Sequence, residues 1–140
     1  MRKHLVLRVV SKLLMPFILL FALYVQFHGD FGPGGGFQAG VIFGSTFILY
    51  ALVYGVETAR RVARDWVLRL FMIAGVLIYI GVGYVALFLG GPFLDYNTLS
   101  PHDPVHGQHL GILLVELGVG ITVAATMVTI FFAFASRGRG

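Results

Sequence analysis

Four stretches of this chain, at about 5–27, 37–56, 67–89 and 110–135, are almost wholly apolar. Each holds about 20 or more residues, enough at roughly 1.5 Å of rise per residue for a helix to cross the ~30 Å hydrocarbon layer of a bilayer. Lipid offers no partner to backbone N–H and C=O groups, so spans of this kind must be helical. Of the 140 residues 58% are hydrophobic and 11% charged, against roughly 25% charged in an ordinary soluble domain, and a soluble domain of this size could not hide so much apolar surface. The expectation is an all-α integral membrane protein of four transmembrane helices. The connections, about 9, 10 and 20 residues long, leave no room for a soluble domain, so 1–140 reads as a single membrane domain.

The ten basic residues set an orientation, because Lys and Arg near span ends stay in the cytoplasm. Arg2, Lys3, Arg8 and Lys12 precede or open the first span, Arg60, Arg61, Arg64 and Arg69 surround the turn between the second and third, and Arg137 and Arg139 end the chain. The loops at 28–36 and 90–109 contain no Lys or Arg. Both termini are therefore expected on the cytoplasmic side of a plasma membrane. The net charge of +4 follows from these flanks facing anionic lipid, so no nucleic-acid partner is expected. The first apolar run is followed by Phe27-His28-Gly29-Asp30, without a small-x-small cleavage site, and reads as a retained span. The absence of cysteine excludes thiol catalysis and Fe–S clusters held by this chain.

Glycine shapes the packing. The loop ending Asp30-Phe31-Gly32-Pro33-Gly34-Gly35-Gly36 should turn tightly into the second span. That span opens with Gly36, Gly40 and Gly44 at four-residue spacing, one helical face that lets a neighbouring backbone come close. Glu116, Gly120 and Ala124 repeat the device in the fourth span. Faces of this kind are expected to pack against neighbouring helices, those of sister subunits in the reading of the chain as a scaffold. Pro16 should bend the first span, since it cannot donate to the carbonyl of Lys12. Asp103-Pro104 has the pattern of an N-cap with proline at the first helical position, giving the fourth span a short lead-in.

Chemistry centres on Glu116, the one acidic residue well inside a span and hence a candidate proton carrier or cation ligand. The alternative is a structural carboxyl bonded to a neighbouring helix. No second carboxylate or histidine is expected at its depth. Lys12 lies about 22 Å from the outer end of its span, too deep to pair with Glu116, and should snorkel to the cytoplasm. The end of the second helix near Gln38 offers free N–H groups to the outer side and repels bare cations, so an ion path there needs Asp30 or carbonyl oxygens to offset it. His102, His106 and His109 have a spacing that three metal ligands could use, but Pro104 and Gly107 interrupt it. No metal, haem between His28 and His109, or other cofactor is expected.

The run from His28 to Gly40, with Pro33-Gly34-Gly35-Gly36-Phe37-Gln38 at its centre, resembles the H-G-x-x-x-P-G-G-G-F-x-x-G motif of the MnhB family, which supplies one of the small membrane subunits of Mrp-type multi-subunit sodium/proton antiporters. Gly91-Pro92-Phe93-Leu94 and Glu116-Leu117-Gly118-Val119 match in order, so the resemblance covers essentially the whole chain. Departures are Glu116, where some members carry Asp, and the third loop, which matches no motif. The resemblance implies a non-catalytic subunit of a sodium/proton antiporter in a bacterial or archaeal plasma membrane, working with other subunits, with Glu116 and Asp30 as ion or proton site. In the antiporter reading the Pro33 to Gln38 stretch shapes the outer mouth of the ion path, while Gly36, Gly40 and Gly44 serve helix packing. Two other readings stay open: the membrane arm of a hydrogenase-type redox complex, and a purely structural scaffold.

Overall fold

The computed structural model describes residues 5–29, 34–100 and 104–137. Asp30 and Pro33, together with His102 and Asp103, lie outside the described residues. Five α-helices are present: α1 (Leu5–His28), α2 (Gly36–Tyr54), α3 (Val56–Val62), α4 (Asp65–Phe88) and α5 (Pro104–Arg137), with a 3-10 turn at Tyr96–Leu99. Among the described residues the secondary structure is helical, and α1, α2, α4 and α5 are each long and apolar enough to cross a membrane. The short α3 is the turn between spans. α1 continues on both sides of Pro16 as one helix of 24 residues.

α5 is the axis of the molecule, packing on α2 along one side and on α4 along the other, while α1 lies on α2. Its 34 residues extend about 51 Å at 1.5 Å per residue, well beyond a hydrocarbon layer. The surplus is the first turns from Pro104, where Tyr96 of the 3-10 turn packs its ring on Gly111 and its backbone on Gly107. Gln108 Nε2 also donates to Asn97 Oδ1 at 2.9 Å. Burial, and then neighbouring Tyr79, push the Tyr96 phenol above its ordinary value, so it stays neutral and suited to this packing.

α2 and α5 run parallel, and the pairing advances in steps of four. A methyl carbon on Gly36 would strike the backbone of Glu116, one on Gly40 would come within 2.6 Å of Gly120 O, and one on Gly44 within 3.3 Å of Ala124 O. The neighbouring helix that each small-residue face was expected to meet is therefore the other of the pair. The physical reason is mutual fit: each face lacks side-chain bulk at the same four-residue interval, so two backbones close to a distance larger residues forbid. α4 joins α5 in the same way with opposite direction, Gly75 lying against Gly118 O and Gly118 against Gly75 O. In each case the glycine hydrogen faces a carbonyl oxygen, the geometry of a weak Cα–H···O contact.

Larger side chains take over at the other end, where Ala51, Ala59, Ala63, Leu68, Ala125, Val128 and Phe132 form the buried cluster. Two arginines fasten it. Arg60 donates to Phe132 O at 3.2 Å and lies over the Phe132 ring, tying α3 to the last turns of α5. Arg8 lies over the Tyr54 ring, and Tyr54 Oη donates to Arg8 O at 3.0 Å, tying α1 to the end of α2. Lys12 is exposed on α1, at this end and away from Glu116.

Candidate functional site

The C-terminal end of α1, the N-terminal end of α2 and the first half of α5 meet at the glycine loop, and each described glycine of that loop has its own reason. Gly34 sits where a side chain would come within 2.8 Å of Val25 O. Gly35 has φ +124°, a conformation open essentially to glycine alone, and its N–H donates to Val25 O at 3.3 Å. Gly36, the first residue of α2, presses on the Glu116 backbone. The loop thus crosses from α1 to α5 in three residues without a side chain in the way.

Glu116 is half-buried at the glycine-loop end of the α2–α5 seam. Its Oε1 lies between two glycines: a methyl carbon on Gly29 would come within 2.9 Å of it and one on Gly35 within 3.0 Å. The position that a Gly35 side chain would take is also 3.4 Å from Gln38 Oε1, so the Gln38 side chain curls back over the same loop. The carboxylate therefore stands beside the start of α2, whose free N–H groups favour negative charge. Phe37, by contrast, points away from the seam and is exposed. Gly40 and Gly44 belong to the seam below, and both are buried.

A cavity of about 330 Å³ opens beside Glu116, lined by Gln26 and Phe27 of α1 and by His106, His109, Leu113 and Glu116 of α5. The sequence separates the histidine run from the carboxylate. The structure joins them, because α5 is already helical from Pro104 and puts positions 106, 109, 113 and 116 on one face. Both imidazoles stand nearer the N-terminus of α5 than Glu116, on the same wall. No group of three His, Cys, Asp or Glu able to hold a metal occurs among the described residues. Gln26 belongs to no motif, yet it is 5% exposed and faces α5, its Oε1 being 2.7 Å from where a Gly120 side chain would begin. Its one trace in the sequence is a carboxamide among the hydrophobic residues from Phe17 to Phe27, which does not say what it faces.

A family model described as "Domain related to MnhB subunit of Na+/H+ antiporter" matches residues 6–129. The chain is also similar to the proteins named "Putative antiporter subunit mnhB2" in Staphylococcus aureus strains Newman, USA300 and COL. Each is 39% identical over 137 residues, a match that spans 96% of this chain and 95% of the relative.

Proposed function

The chain belongs to the MnhB family, and from that premise we propose that it is a non-catalytic membrane subunit of a multi-subunit sodium/proton antiporter in a bacterial plasma membrane. Both termini lie in the cytoplasm in this reading. The support is that Arg8, Arg60 and Arg137 fall at one end of the helices while the loops at the other end are free of Lys and Arg. Asp30, at the start of the glycine loop, joins Glu116 in the outer cation or proton site.

The observation that carries this reading is the setting of Glu116. An ionisable group within a span is costly to keep, and here its backbone is locked to Gly36 while its carboxylate is enclosed by Gly29 and Gly35. The seam holds the carboxylate at the outer mouth of the subunit, where it can exchange a monovalent cation or a proton with the outer side. One carboxylate cannot relay protons across a bilayer, so translocation belongs to the assembled complex and this chain contributes one station and a docking surface. Glu116→Gln keeps size and hydrogen bonding but removes the charge. Sodium-dependent proton exchange in vesicles should fall sharply in that variant while the complex still assembles; unchanged exchange rejects the ion-site role. Identifying the proteins that purify with the native chain separates an antiporter from a hydrogenase-type complex.

A further inference from the structure

Gln26 stands on a boundary. Outward of it lies the cavity with Glu116, His106 and His109; inward lies an apolar groove of about 390 Å³ whose wall includes Ala22, Leu23, Phe43, Gly44 and Leu117, and Gln26 lines both. The residue is 5% exposed, and its Nε2 has no hydrogen-bond partner among the described residues. A buried amide nitrogen left in that state carries its full desolvation penalty, and in apolar surroundings leucine would fill the space without it. Water supplied from the outer cavity removes the penalty. Gln26, His106, His109 and Glu116 line that cavity beside the apolar Phe27, Leu110 and Leu113, and at ~30 Å³ per molecule it has room for on the order of ten waters. The inner groove is walled by aliphatic and aromatic carbon apart from the same Gln26.

We propose that the cavity between the outer ends of α1 and α5 is a water-filled entry vestibule for hydrated monovalent cations, closed at its inner end by the Gln26 carboxamide and flanked by Glu116. The donor set fits that ligand. A carboxylate, water and an amide that presents its oxygen by turning about its last torsion are hard ligands, and the His106 and His109 imidazoles stand on the same wall. The identity of the cation rests on the antiporter reading above; the hydration of the vestibule does not.

The cysteine-free sequence allows a direct test in the native complex. Leu113→Cys puts a thiol in the vestibule wall and Leu117→Cys puts one in the groove wall one turn deeper. Right-side-out vesicles are treated with a membrane-impermeant cationic thiosulfonate, and the mass of this chain is followed with time. Thiols react as thiolates and need water, so Leu113→Cys should label at least about tenfold faster than Leu117→Cys, and saturating sodium should slow it several-fold. Labelling of both after denaturation controls for oxidation. Leu113→Cys reacting no faster than Leu117→Cys overturns the wet vestibule, and rapid labelling indifferent to sodium overturns the cation. Should Leu113→Cys label and be protected while Glu116→Gln transports normally, the role of Glu116 falls and the vestibule stands. Loss of exchange in Glu116→Gln with an unreactive Leu113→Cys overturns the vestibule and leaves the role of Glu116 standing.

Discussion

Gly36, Gly35 and Glu116 show three different demands met within one contact. Gly36 answers to space, because any side chain there enters the Glu116 backbone. Gly35 answers to conformation, with φ +124° and an N–H spent on Val25 O. Gly35→Ala is therefore expected to cost roughly 1–3 kcal/mol, and it also drives a methyl group towards Glu116 Oε1. Its signature should be a lower thermal midpoint of the complex together with weaker exchange; a midpoint equal to wild type contradicts the strain. The glycine motif was legible in the sequence as a tight turn, and Glu116 as an intramembrane carboxylate. Gln26 was not, because nothing in its neighbours distinguishes an amide facing a cavity from one facing lipid until α5 is laid beside it. The link between His106, His109 and Glu116 was half legible, since the Asp103-Pro104 pattern announced the lead-in but not the cavity it lines. Hydropathy begins the fourth span near residue 110, whereas the helix begins at Pro104 and carries both histidines onto the Glu116 face.

At the scale of elements, the parallel α2–α5 seam organises the half of the bundle at the glycine loop and the Phe132 cluster the half at α3. In lipid there is little hydrophobic gain in burying one apolar surface against another, so close backbone contact through small residues must hold such a pair. Gly40→Val inserts three carbons against Gly120 O and the Val123 side chain. Overpacking of this kind costs roughly 1–3 kcal/mol, and it should part the helices and displace Glu116 at the end of the seam. Limited proteolysis of the assembled complex should then cut the loop at 29–36 faster than in wild type. A Gly40→Val complex as resistant as wild type contradicts the seam. Periodicity revealed both small-residue faces but not their pairing, since any two such faces are complementary at the same interval. The four-residue register from Gly36–Glu116 to Gly44–Ala124 supplies that pairing.

Across the whole molecule, using those faces internally leaves the outward surfaces apolar. Phe88 is 87% and Phe134 67% exposed, with Leu5, Phe17, Trp66 and Leu77 also largely uncovered. A surface of this composition needs lipid or neighbouring membrane subunits over it. It is these side-chain-rich faces, and not the glycine faces, that remain for sister subunits. The two ends differ in charge, with Arg8, Arg60 and Arg69 at one and no Lys or Arg in the loops of the other. Reporters fused to the N-terminus and the C-terminus should both report the cytoplasm, and one fused within the loop at 90–100 the outside; termini on opposite sides contradict the orientation.

Exchange by assembled complexes carrying Glu116→Gln or Glu116→Asp tests most directly the claim that this subunit contributes a charged station at the outer mouth. Measured as sodium-driven proton movement in inverted vesicles, the aspartate variant should keep a substantial part of wild-type exchange and the glutamine variant should lose nearly all of it, at equal amounts of assembled complex. Wild-type exchange by the glutamine variant contradicts the account, leaving Glu116 a structural carboxyl and the chain a scaffold.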